Sequence, residues 1–167
     1  MKKIAPFLVV LVMILGIVSL FLSLGEKQNM IVIKEGNTDK LPLEIELNKY
    51  QDSDCGMVIE TTKYASQVIS PSGKTYFFHD HGGFVHWLKD KEFKDEAVIW
   101  VMSVDSKKWI KAKDAYYSIN DITPMGYGFG AYEFDDDSKI DYETMRLRML
   151  RGETLNNDKI RKQILGK

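Results

Sequence analysis

Cys55, Gly56 and Met57 place a thiol and a thioether two residues apart. In an extended segment, side chains at i and i+2 point the same way. Gly56 removes the intervening side chain and lets the backbone bend tightly. Two soft sulfur donors so placed suit Cu(I) far better than Zn(II), Mg(II) or Ca(II). The plain alternative is a buried cysteine and a core methionine packed as hydrophobes. The polar run Gln51-Asp52-Ser53-Asp54 ahead of the thiol argues against deep burial.

A second sulfur stands in Thr123-Pro124-Met125-Gly126, which has the Pro and Gly of a type I turn. Met125 takes the third, outward-projecting position, an odd use of an apolar side chain. On this motif alone, a Met125 folded back onto a sheet is favoured. His79-Asp80-His81 with His86 invites a third metal reading. A helix burying Phe84, Trp87 and Leu88 turns His86 to solvent, which leaves His79 and His81 as the weaker candidates. For those two, surface imidazoles at a helix start are favoured over a ligand pair.

Other clusters lead nowhere. Met145 and Met149, one turn apart with Tyr142 before them, form a helix core stripe. Asp135-Asp136-Asp137 lacks the spaced oxygens and final Glu of a calcium loop and reads as a capped helix start. Glu60 with Glu44 or Glu46 would make an acid/base pair, but nothing fixes their separation.

The elements that must position these groups follow from composition. Residues 4–25 form an uncharged run of 22 after Lys2 and Lys3, close to the ~20 apolar residues of a membrane-spanning helix. The charge placement predicts a signal anchor with the rest of the chain outside the cytoplasm. Ser23-Leu24-Gly25 is a passable cleavage site, so a cleaved signal is the alternative. With Lys2 and Lys3 set aside, 21 of the 23 basic side chains face 24 acidic ones. That balance offers no basic surface for a nucleic-acid backbone. Hydrophobic content of 44% and aromatic content of 11% exclude a disordered chain. The single cysteine excludes a disulfide framework and a four-cysteine zinc site.

The pattern predicts an anchor over 1–25, a juxtamembrane connector with short strands over 26–50, and one domain over 51–167. Residues 30–34 and 43–47 read as short strands. Residues 64–70 and 74–78 alternate around Pro71-Ser72-Gly73, a hairpin. Asp80 is positioned to cap a helix over 81–91. The nearly all-apolar stretch 97–104 reads as a central strand, and Trp109-Ile110-Lys111 starts another. Residues 127–134 read as extended, and 138–165 as helix broken near Gly152 or Asn156-Asn157. The expected class is α+β, an antiparallel or mixed sheet of β-β-α-β units with C-terminal helices, preceded by one N-terminal transmembrane helix.

Taken in order, Cys55-Gly56-Met57, the hairpin ending Tyr76-Phe77-Phe78, the segment Trp109-Ile110-Lys111-Ala112-Lys113-Asp114-Ala115-Tyr116-Tyr117 and Thr123-Pro124-Met125-Gly126 resemble the NosL family. These are exported copper proteins that help mature nitrous-oxide reductase. The resemblance covers residues 53–133. It implies Cu(I) bound by Cys55, Met57 and Met125, and an α+β fold similar in architecture to organomercurial lyase, without established enzyme activity. Two departures stand out. Many members are lipoproteins, whereas here an apolar anchor replaces the lipid-bearing cysteine. The segment after the hairpin is usually acidic, whereas here it is His79-Asp80-His81-Gly82-Gly83.

The expectation is a non-enzymatic, membrane-tethered Cu(I) metallochaperone on the periplasmic face of a bacterial inner membrane. Its partners would be copper, a client copper enzyme (nitrous-oxide reductase) with its assembly machinery, and the membrane. The rivals are a thiol-dependent envelope enzyme using Cys55 with His79 or His81 as base, and a metal-free scaffold.

Overall fold

The computed structural model describes residues 5–24 and 30–166. It opens with helix α1 (Ala5–Leu24), which has no charged residue. Side chains of α1 are described at 7–20, and all are exposed. Among the described residues no helix is long and apolar enough to cross a membrane. Lys2, Lys3, Gly25 and the start of the expected connector lie outside the described residues.

After β1 (Ile33–Lys34) come β2 (Ser66–Ile69), β3 (Thr75–Phe78), α2 (His81–Leu88), β4 (Val98–Met102) and β5 (Trp109–Lys111). These strands form one sheet in the order β1-β3-β2-β4-β5, antiparallel throughout. The hairpin closes where Pro71-Ser72-Gly73 predicts it, with Ser66 opposite Phe78 and Ile69 opposite Thr75. Gly73 at φ +81° supplies the left-handed residue of that turn. The β2-β3-α2-β4 run is the expected β-β-α-β unit, since β4 returns to pair with β2. A second, two-stranded sheet joins β6 (Tyr116–Tyr117) to β7 (Ala131–Tyr132). Helices α3 (Tyr142–Leu150) and α4 (Asp158–Leu165) end the chain, with the interruption at Gly152 to Asn157.

Period-two alternation gives the main sheet two apolar faces. Tyr76 and Phe78 with Val68, Ile99 and Val101 face α2 and α3, where Phe84, Leu88, Met145 and Met149 complete the larger core. Phe77 faces the other way, into a smaller core with Ile45, Tyr50, Ile59 and Ala65. The segment read as a connector supplies that second layer: β1 pairs with β3, and Leu43 and Ile45 pack over the sheet. The buried Gln67 side chain fastens it, accepting from the Leu43 amide at 2.8 Å and donating to the Leu43 carbonyl at 2.7 Å. Residues 43–47 form no strand; Leu43 is held by the Gln67 side chain in place of a ladder partner.

Two further expectations are corrected and one is met. Helix α2 ends at Leu88 rather than 91. Successive turns follow, which return Phe93 onto Tyr76 and Trp87. β4 is the interior strand that its nearly all-apolar run predicts, paired with β2 on one side and β5 on the other, and its residues alternate between buried and half-buried. Asp135–Asp137 start no helix; α3 begins later, with Asp141 accepting from the Thr144 amide.

The first turn of α2 lies against Tyr127. A Cβ at Gly82 would stand 2.4 Å from Tyr127 Cδ2 and 2.6 Å from its Cγ. Gly82→Ala must displace a ring root, and overpacking of that kind costs about 1–3 kcal/mol. Urea unfolding should show the loss; an unchanged midpoint would mean that the ring yields freely.

Candidate metal centre

The centre is built by the chain 52–57 folding around one carboxylate. Asp52 is 2% exposed. Its Oδ1 accepts from the Asp54 amide at 2.8 Å and the Cys55 amide at 3.1 Å. Its main chain closes the loop: the Gly56 amide donates to the Asp52 carbonyl, and the Asp52 amide donates to the Met57 carbonyl. Gly56 sits at φ +74°, the conformation a side chain resists. The result presents an exposed Cys55 and a largely exposed Met57.

The second oxygen of Asp52 reaches the end of β3. Oδ2 accepts from the His79 amide at 2.9 Å and lies 2.6 Å from His79 Nδ1. Cys55 Sγ is 3.9 Å from the same Nδ1. One donor atom each from Asp52, Cys55 and His79 lies within 4.8 Å of the others. Burial pushes the Asp52 carboxyl up, but bonds from the His79 side chain and from the His79, Asp54 and Cys55 amides outweigh it and hold it low. The Cys55 thiol goes the other way. Burial raises it, the Met57 amide is the main opposing influence, and Asp52 and Asp54 add to the rise. A thiol so raised is a weak nucleophile, and the nitrogen facing it already pairs with Asp52.

The Pro-Met-Gly turn is held next to this loop by a second buried carboxylate. Asp80 caps α2 by accepting from the Gly82 amide at 3.0 Å, and it accepts from the Met125 amide at 2.9 Å. The Gly126 amide closes the turn on the Thr123 carbonyl at 2.9 Å. Asn156 Nδ2 donates to the Met125 carbonyl at 2.7 Å. Pro124, Met57 and His79 line one cavity of about 380 Å³ with Val58, Glu60 and Thr61. Met125 itself is half-buried. A larger cavity, about 580 Å³, opens between α2 and α3 and is lined by no Cys, His or Met.

The two histidines are buried rather than at the surface, at 6% and 0% exposure. The reason is pairing with distant parts of the chain: β3 ends into the Asp52 loop, and α2 starts against β2. His81 Nδ1 lies 2.7 Å from Ser66 Oγ, and the ring sits between Tyr64 and Tyr117. Burial pulls its pKa down to about 3, so it stays neutral. His81 lies outside the Asp52–Cys55–His79 group. Nε2 of both histidines is buried without a hydrogen-bond partner among the described residues. His86 reaches Asp54, at 3.6 Å.

Asp52 is the residue that sequence reasoning missed, since the polar run around it was taken to lie at the surface. An Asp three residues before a Cys and four before a Gly is an Asx-turn signal that could have found it. No protein-family model matches the sequence, and no curated protein matches it.

Because the Asp52 carboxyl is held low, its stabilising contribution is present above the ordinary carboxylate range and lost as pH falls through and below it. Asp52→Asn should cost about 2 kcal/mol at neutral pH, the scale of a hydrogen bond to a charged group. The gap to wild type should close in acid. A gap of constant size across pH, by urea unfolding, would show that the charge contributes nothing.

Proposed function

We propose that the chain is an exported Cu(I) metallochaperone that passes copper to a cell-envelope enzyme. In this reading the uncharged segment 4–25 tethers it to the membrane, with Lys2 and Lys3 inside and the domain on the periplasmic face. The resemblance to the NosL family names nitrous-oxide reductase and its assembly machinery as the client. The observation that carries the reading is the shared cavity: Met57 of the Cys-Gly-Met loop and Pro124 of the Pro-Met-Gly turn border the same space with His79, whose Nδ1 is 3.9 Å from Cys55 Sγ.

Cys55 would supply the one negative charge that Cu(I) needs, and its thiol proton leaves on binding. Met57 and Met125 would supply neutral soft donors. Such a set holds the ion without closing around it, so a client's ligands can replace the thioethers one at a time. The exposure of Cys55 and Met57 supports transfer by ligand exchange. The raised thiol and the occupied His79 Nδ1 count against the thiol-enzyme reading.

Anaerobic Cu(I) titration against a chromophoric chelator tests the ligand set. Cys55→Ser should lose nearly all affinity, whereas Met57→Ala and Met125→Ala should each lose a smaller factor. X-ray absorption should count three sulfur neighbours, falling by one in either methionine variant. An unchanged affinity and count in Met125→Ala would remove the Pro-Met-Gly turn from the site. Copper content of the client reductase, with and without the gene, tests the role; equal content would refute delivery. A reporter fused after Lys167 should work only outside the cytoplasm, and activity of a cytoplasmic-only reporter would refute the topology.

A further inference from the structure

We infer that the centre holds a second, divalent-ion donor set: Asp52 carboxylate, Cys55 thiolate and His79 Nδ1, sharing only Cys55 with the sulfur set. The class of ion is a borderline divalent cation, with Zn(II) as the type. The three donors already lie within 4.8 Å of one another.

The distances are close to those such an ion requires. Donors at 2.0–2.3 Å around a tetrahedral ion stand roughly 3.3–3.6 Å apart. Cys55 Sγ and His79 Nδ1 are 3.9 Å apart and must close slightly. Asp52 Oδ2 and His79 Nδ1, 2.6 Å apart, must open. The ion thus takes the place of the proton between them, and that proton moves to the unpartnered Nε2. The thiol proton leaves to solvent. A fourth position stays open toward the cavity that His79 lines with Met57 and Pro124.

Charge separates the two sets. Asp52 and His79 are buried, where uncompensated charge is costly. One thiolate with two thioethers neutralises Cu(I). A thiolate with a carboxylate neutralises a divalent ion, and His79 adds a neutral nitrogen that such ions favour. Asp52, buried and facing four N–H groups, is the carboxylate that a Cu(I) site has no use for. Because both sets need Cys55, a divalent ion and Cu(I) exclude each other. The divalent set does not depend on the Cu(I) reading, and its test separates the two.

Co(II) alone is the probe, added to the reduced, metal-free protein under anaerobic conditions. Wild type should bind one Co(II), show a thiolate-to-cobalt charge-transfer band with the intense visible bands of tetrahedral coordination, and give one sulfur neighbour by X-ray absorption. His79→Gln should weaken Co(II) by at least about tenfold, the lower end of what disturbing a ligand shell costs, while changing Cu(I) affinity less than about threefold. Met57→Leu should do the reverse. Zn(II) should displace the cobalt, and Cu(I) should displace either with loss of the band. Absence of the thiolate band, two or more sulfur neighbours on cobalt, or parallel loss of both affinities in His79→Gln would each overturn the proposal. Intact Co(II) binding with no Cu(I) binding would instead leave this set standing and refute the copper(I) reading.

Discussion

The Asp52 carboxylate holds the centre together. Its burial is unfavourable by itself, and four N–H donors from three places compensate: the Asp54 and Cys55 amides ahead of the thiol, and the His79 amide and ring at the end of β3. This one anion folds the loop back on itself, fixes the imidazole and joins residues that lie far apart in the chain. Removing it leaves three amides and a buried ring without acceptors, which is why the loop depends on its charge as well as its shape.

A second carboxylate divides the work. Asp80, next in sequence to His79, binds the start of α2 and the Met125 amide. Burial raises its carboxyl, and its partners, led by the Thr123 hydroxyl and the Met125 amide, only partly offset that. Asp52 is over-supplied with donors, whereas Asp80 is dominated by desolvation. The thiol loop therefore rests on a firm ionic anchor, and the Pro-Met-Gly turn rests on a softer one. Met57 of the one and Pro124 of the other line the same cavity.

Local signals in the sequence located most of the framework. The hairpin was legible from its turn residues, the start of α2 from its capping aspartate, and the C-terminal helices from the Gly-Asn interruption. What stayed hidden depends on long-range pairing. Nothing near Leu43 announces that Gln67 will bond its main chain from the neighbouring layer. His79 and His81 look solvated in a run of Gly and Asp, yet β3 delivers one against Asp52 and α2 packs the other on Ser66. Asp52 was misread for the same reason: a polar stretch lies at the surface unless a distant strand end supplies its partners. The sulfur residues were visible by type, but the approach of Met57 to the Pro124 turn depends on the folded sheet.

Ser53 gives the centre a mechanical property. Its hydroxyl donates to the Val32 carbonyl at 2.8 Å and accepts from the Phe77 amide at 3.0 Å. Ile31 and Gln51 add paired main-chain bonds between the same stretches. The strand that enters the domain is thus riveted to the loop two residues before the thiol. There is no slack between them, so the thiol moves as one body with the chain at Val32. It cannot swing out on a flexible arm, and any group that bonds to it has to come within contact distance of the domain itself.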